Sequence, residues 1–205
     1  MNFNELNSVE YFIIYSLCGI DLNKKIDIEN IRGDKLNGFN WVYKKAESLQ
    51  RNIDEVLLET ELKEALTRLN PEIKSQPELA DQVIYKLRAI LISVNQIGLV
   101  KANEEFTKWL SGEKTMPFGE NNRHVSIKII DFENLNRNHY LISNQLKIKY
   151  LETKIPDIVL FINGIPVVVG EVKTPIRPSV SWLDGAYEIN KIYENSIPQL
   201  FVPNI

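Results

Sequence analysis

The chain has 205 residues, 44% of them hydrophobic, enough to bury one substantial core, which excludes a disordered or collagen-like polypeptide. A formal net charge of -3 excludes a domain that coats nucleic acid through overall positive potential. Its single cysteine, Cys18, excludes an internal disulfide or a cysteine-rich metal framework, so a reducing, cytoplasmic setting is expected. With no run near the ~18 apolar residues a membrane span needs, no membrane partner is expected either.

Asn7-Ser8-Val9-Glu10 reads as a capping box that opens a short buried helix closed by Gly19. Cys18 sits within it as a small buried hydrophobe. Residues 21–40 carry little periodicity and read as a long connection, with helices resuming at about Trp41. Leu58, Leu62, Leu66 and Leu69 recur at helical spacing up to Asn70-Pro71. Ser75-Gln76-Pro77-Glu78 reads as a second capping box, heading a helix through Val83, Leu87 and Leu91, and a further helix is expected from near Asn103 to Gly112.

After Pro117 and Gly119 the spacing changes to alternation. Val125, Ile127 and Ile129, then Leu146, Ile148 and Tyr150, predict strands. Two continuous apolar runs, 158–162 and 165–169, flank Asn163-Gly164, a strong hairpin signal. A helix from about Val180 to Glu194 and a last strand at Leu200-Phe201-Val202 complete the reading. The expected fold is mixed α+β (α/β), a central mixed sheet flanked by helices, with a helical elaboration over about 40–115 and the sheet over about 123–205.

The residues that could carry chemistry are Pro156-Asp157, the hairpin, and Glu171-Val172-Lys173. Glu-x-Lys alone discriminates little, since it also occurs at Glu61, Glu72 and Glu152. Only the copy at Glu171 ends a buried strand whose partner strand is preceded by the chain's one Pro-Asp. In an extended strand Glu171 and Lys173 share a face. A two-residue Asn163-Gly164 loop with regular pairing would set Asp157 against Gly170, on the wrong face. A three-residue loop, or an equivalent bulge, is therefore predicted, with Phe161 opposite Ile165 and Asp157 opposite Val169, diagonal to Glu171.

Two carboxylates, Asp157 and Glu171, with the backbone carbonyl of Val172, form a donor set suited to Mg2+. Lys173 beside them would orient and help deprotonate an attacking water and offset phosphate charge. Glu10 on the first helix is either a further carboxylate for the ion's water shell or only a helix cap. Read blandly, Asp157 merely begins a strand, and Glu171 with Lys173 is a solvated ion pair contributing at most about 1 kcal/mol. His124 and His139 read as surface residues, and Trp41, Trp109, Trp182 and Tyr187 as core rather than nucleotide-stacking platforms. Lys147, Lys149, Lys154, Arg177 and Lys191 are candidates for DNA-backbone contacts.

The run from Pro156-Asp157 through Asn163-Gly164 and Pro166 to Glu171-Val172-Lys173 resembles the nuclease hairpin in the restriction (R) subunit of Type I restriction-modification enzymes, members of the PD-(D/E)xK superfamily. Leu66 to Pro71, Ile130 to Asn134, Ser143-Asn144-Gln145, Ala186-Tyr187 and Tyr193 to Phe201 extend the likeness over nearly all of residues 54–205. It implies a Mg2+-dependent DNA endonuclease domain without sequence readout of its own. Asp157 and Glu171 would be metal ligands, Lys173 the catalytic lysine and Glu10 a first-helix acid.

The resemblance also implies double-stranded DNA and the modification and specificity subunits as partners, with ATP used only by motor lobes in a longer protein. No phosphate loop of the Gly-x-x-x-x-Gly-Lys-Ser/Thr type occurs here, so the chain reads as the N-terminal fragment of such a protein. Family members often carry Gln-x-x-x-Tyr after the lysine strand, and Tyr193 keeps the tyrosine as a DNA or site contact. Ile189 stands where the glutamine would be, with Asn190 or Glu188 as substitutes. Gly170 is smaller than the residue usual before the acid. The rival readings are a non-catalytic docking module of the restriction complex and a PD-(D/E)xK nuclease of a recombination or repair pathway.

Overall fold

The computed structural model describes residues 6–24, 40–174 and 181–204. The chain begins with a π turn, Leu6–Glu10, running directly into α1 (Tyr11–Cys18). Asn7 thus lies inside the helical path rather than capping it. As expected, Gly19 ends α1: it adopts φ 72 and donates its N–H to Tyr15 O at 2.7 Å. Cys18 is buried, as read.

Where helix was expected to resume, Trp41–Tyr43 is instead an edge strand, β1. Its three residues are too few to show a period, and parallel pairing with a distant strand decides their conformation. Helices α2 (Glu59–Leu69), α3 (Pro71–Ser75), α4 (Glu78–Ile97) and α5 (Leu99–Leu110) follow. Leu62, Ala65, Leu66 and Leu69 form the buried face of α2, and Pro71, with no N–H to satisfy, starts α3. The second expected capping box does not form, because the Ser75 hydroxyl turns back to Glu72 O at 2.9 Å and α4 starts without a side-chain cap. Helix α5 starts just after Gly98, four residues before the expected Asn103.

The strands are β2 (Thr115–Phe118), β3 (Arg123–Ser126), β4 (Tyr140–Asn144), β5 (Ile148–Lys149), β6 (Thr153–Lys154), β7 (Ile158–Ile162) and β8 (Ile165–Gly170). Ile127 and Ile129 are fully buried but lie beyond β3, in irregular backbone. The alternation was real burial without a ladder partner. β4 carries no strand signature in the sequence because all five of its residues are buried, which leaves no in-and-out alternation.

β1, β4, β7 and β8 form one mixed sheet in that order, β1 parallel to β4 and the other pairs antiparallel. Residues of α2, α4 and α5 pack with Leu141, Val159, Phe161, Ile165 and Val167 on one face of the sheet. α1 packs with Ile142 and Ile158 on the other. Burying each such aliphatic side chain stabilises the fold by about 1.5–3 kcal/mol.

The hairpin corrects the expected register. Asn163 and Gly164 form a two-residue loop, both at positive φ (52 and 80), with Ile162 opposite Ile165 and Phe161 opposite Pro166. The irregularity falls on the next step of β8, where Leu160 pairs with Val168 and leaves Val167 extra. Pro166 has no N–H for the ladder, so the regular pattern is weakest here. The bulge brings Asp157 to the face of Glu171, as a three-residue loop would have done, but it shifts the register in the opposite direction. Val159 opposes Val169 and Ile158 opposes Gly170, so continuing one step sets Asp157 directly across from Glu171, not across from Val169.

The turn is buried, unlike most hairpin tips. Asn163 is 0% exposed; its amide donates to Ile129 O and Asn138 Oδ1, and its oxygen accepts from His139 N and Arg68. Gly164 O accepts the Leu58 N–H at 2.8 Å, and a Cβ on Gly164 would strike Leu58 O. The tip is therefore locked under the start of α2.

The last helix is three pieces: α6 (Trp182–Tyr187), a π turn (Glu188–Tyr193) and α7 (Glu194–Ser196). Ser181 and Asp184 make a reciprocal capping box at its start. The expected final strand is instead a 3-10 turn, Pro198–Leu200, and a further turn, with Leu200, Phe201 and Val202 plugging the core. No helix among the described residues is long and apolar enough to cross a membrane.

Candidate active site

Asp157 lies just before β7 and Glu171 just after β8, on the sheet face that carries Val159 and Val169 toward the main core. Asp157 Oδ2 accepts the backbone N–H of Val172 at 2.9 Å, tying the two strand ends together. Val172 thus enters the site through its main chain. The Lys173 amine stands 2.6 Å from Glu171 Oε1 and 2.7 Å from Glu188 Oε2. The Tyr193 hydroxyl donates to Glu171 Oε2 at 3.0 Å. Gly185 lets α6 come this close, since a Cβ there would sit 3.3 Å from Glu171 O and 3.6 Å from Lys173 Cγ.

Glu10 approaches from the opposite layer and is 1% exposed. Asn144 Nδ2 donates to Glu10 Oε2 at 2.9 Å, and Asn144 Oδ1 in turn accepts from the Tyr43 hydroxyl. Gln145 holds φ 53 and points its amide at two carboxylates at once, Glu10 Oε1 at 2.9 Å and Asp157 Oδ1 at 3.0 Å. One side chain at the end of β4 thus links the first-helix acid to the strand acid.

Burial is the main reason the Glu171 carboxyl is pushed up to about 7, and the negative charges of Asp157 and Glu188 add to it against the pull of Lys173. Burial alone would favour loss of the Lys173 proton, but hydrogen bonds to Glu171 and Glu188 outweigh it and hold the amine charged well above neutral pH. Burial and the neighbouring Glu171 raise the Tyr193 phenol, which stays protonated as a donor.

The structure brings Asp157, Glu171, Val172, Lys173 and Tyr193 together, with Glu10 joined through Gln145. Glu188 was only an alternative in the sequence, and Gln145 was seen there only as part of a resemblance; neither belongs to a periodic pattern that would single it out. Ile189 packs against the core and Asn190 bonds back to Ala186 O, so of the three positions only Glu188 reaches the lysine.

Of the candidate phosphate contacts, Lys154 pairs with Glu152 at 2.7 Å, Lys147, Lys149 and Lys191 are exposed, and Arg177 lies outside the described residues. Trp109 is buried as expected, but Trp182 and Tyr187 are exposed rather than core, because only Gly185 of α6 faces inward. His139 is half-buried, not a surface residue, and burial, with Lys44 nearby, lowers its pKa.

A mixed four-stranded sheet between helices, with an acid before one hairpin strand and Glu-x-Lys after the other, is the architecture of a PD-(D/E)xK-like nuclease fold. The family model described as Type I restriction enzyme R protein N terminus matches residues 31–204, and the chain belongs to that family. It is 30% identical over 191 residues to the Type I restriction enzyme HindI endonuclease subunit of Haemophilus influenzae, covering 87% of this chain and 17% of that protein. A putative type I restriction enzyme MjaIXP endonuclease subunit of Methanocaldococcus jannaschii is 27% identical over 192 residues, covering 88% of this chain and 18% of the relative. The chain thus spans under a fifth of the length of these relatives.

Proposed function

We propose that this chain is the endonuclease domain of a Type I restriction enzyme R subunit, hydrolysing phosphodiesters of double-stranded DNA with Mg2+ and without reading sequence itself. The observation that carries this reading is the bulge at Val167, which sets Asp157 across from Glu171 with Lys173 on the same strand end. Among the described residues no group of three or more His, Cys, Asp or Glu converges as a metal cage. Mg2+ does not need one, since it commonly takes one or two carboxylates and keeps several waters. A buried carboxylate, Glu171, facing the negative charge of the half-buried Asp157 fits a hard cation, with the Val172 carbonyl as the third donor. When bound there, the ion supplies charge neutralisation and lowers the pKa of water.

The chain's own groups do the rest. Asp157 and Glu171 hold the ion, each fixed by a donor on its second oxygen: Val172 N–H for Asp157 and the Tyr193 hydroxyl for Glu171. Lys173, kept charged, orients the attacking water and offsets charge building on the phosphate oxygens rather than taking a proton. Glu10 acts one hydrogen-bonded residue away, through Gln145. Sequence recognition, ATP hydrolysis and translocation belong to the modification and specificity subunits and to the motor lobes of the longer protein.

In the assembled restriction complex, Asp157→Ala and Lys173→Ala are each expected to lower the cleavage rate by at least about 100-fold while leaving ATP hydrolysis intact. Normal cleavage by either variant would leave the domain as a docking module.

A further inference from the structure

Glu188 and Tyr193 are five residues apart and belong to one π turn. In an α-helix, side chains five apart diverge in direction, whereas the wider i to i+5 turn brings them to one face. Here both point at the site: the Tyr193 hydroxyl bonds Glu171 Oε2 at 3.0 Å and Glu188 Oε2 bonds the Lys173 amine at 2.7 Å. The π turn makes this pair of contacts by displacing one residue, and the residues between the two do other work. Ile189 and Ile192 pack against the core, Asn190 caps Ala186 O, and Lys191 is exposed.

We infer that Glu188 is a positioning residue for the nuclease reaction, holding the Lys173 amine beside Glu171 by means of the π turn that carries it. This rests on the nuclease reading and deepens it.

Lys173 has four rotatable bonds and an amine that attracts any nearby carboxylate. With Glu171 alone as partner it would follow that side chain, and the amine would move with whatever Glu171 binds. Glu188 supplies a second anchor from a different element, 15 residues further on and outside the strand pair. The two anchors define the amine's place between the sheet and the helix, and an anchored group loses less entropy when the reacting phosphate arrives. With its side chain one-third exposed, Glu188 can be replaced without leaving a void in the core.

The test is single-turnover DNA cleavage by the intact restriction complex carrying Glu188→Ala, Glu188→Gln or Lys173→Ala, each over a range of Mg2+ concentrations, with DNA affinity measured in parallel. Glu188→Ala is expected to slow cleavage about 10-fold or more at saturating Mg2+ with DNA affinity unchanged. Glu188→Gln, which keeps an acceptor for the amine, should recover most of that loss. Wild-type cleavage by Glu188→Ala alongside an inactive Lys173→Ala overturns the inference and leaves the nuclease reading standing. So does a Glu188→Ala defect that added Mg2+ fully restores, because Glu188 would then be serving the ion and not the lysine. Normal cleavage by Lys173→Ala overturns both.

Discussion

Replacing Glu171 with glutamine should stabilise the metal-free domain, and by an amount that depends on pH in a set direction. The folded carboxyl titrates near 7 against an ordinary 4.5, chiefly because it is buried and secondly because Asp157 and Glu188 face it. Below about pH 4.5 the group is protonated in both the folded and unfolded chain and contributes no pH dependence. As pH rises, the unfolded chain loses this proton first, so stability falls until the folded group has ionised as well, near pH 7. The gap between 4.5 and about 7 corresponds to about 3 kcal/mol of lost stability. Glutamine imitates the protonated carboxyl at every pH: its oxygen accepts from Lys173 and its amide donates to the Tyr193 oxygen. Urea unfolding of both proteins from pH 4.5 to 8.5 isolates the Glu171 site, because groups that do not interact with Glu171 titrate alike in both and cancel in the difference. The two curves should coincide at the acid end and separate by about 1–3 kcal/mol in favour of Glu171→Gln above pH 7. Adding Mg2+ at pH 8 should then raise the stability of the native protein, by about 1.4 kcal/mol at ten times its Kd, and not that of the variant. A separation that is flat with pH, or a variant less stable at pH 8, would refute the account of buried repulsion at this site.

Gln145→Gly keeps the left-handed backbone at this position and removes both carboxylate contacts; it should weaken Mg2+ binding by roughly 10-fold, as read by calorimetry, with little change in Tm. Gly164→Ala forces a Cβ against Leu58 O at positive φ and should cost more than about 3 kcal/mol in chemical denaturation, a loss far above that of an exposed hairpin tip. Ser181→Ala removes the cap of α6 and should cost about 1 kcal/mol, with Ser181→Asn restoring most of it.

The candidate site was legible in the residues themselves. Asp157, Glu171 and Lys173 could be found because two apolar runs and an Asn-Gly turn give the hairpin away, and charged residues at its ends stand out against such surroundings. The helices α2 and α4 were equally plain, since each keeps one apolar face over several turns. Sequence and structure part where burial hides periodicity or where pairing is remote. β4 is buried throughout, β1 is three residues joined to a strand about a hundred positions away, and the final apolar run fills the core without any ladder.

By itself, then, the sequence singled out the candidate acids, the amine and the two strands that they flank, because these follow from side-chain type and from two continuous apolar runs about an Asn-Gly turn. Only the tertiary structure decided how the strands slide. Pairing could begin at Ile162 or at Phe161, and a bulge could fall at the loop or beyond Pro166; each choice turns Asp157 toward or away from Glu171, and packing of the turn beneath α2 selects among them. Gln145 and Glu188 are in the same position. Each acts through a single side chain brought in from another element, by a left-handed residue in one case and a π turn in the other, and no local pattern of residues encodes such an approach.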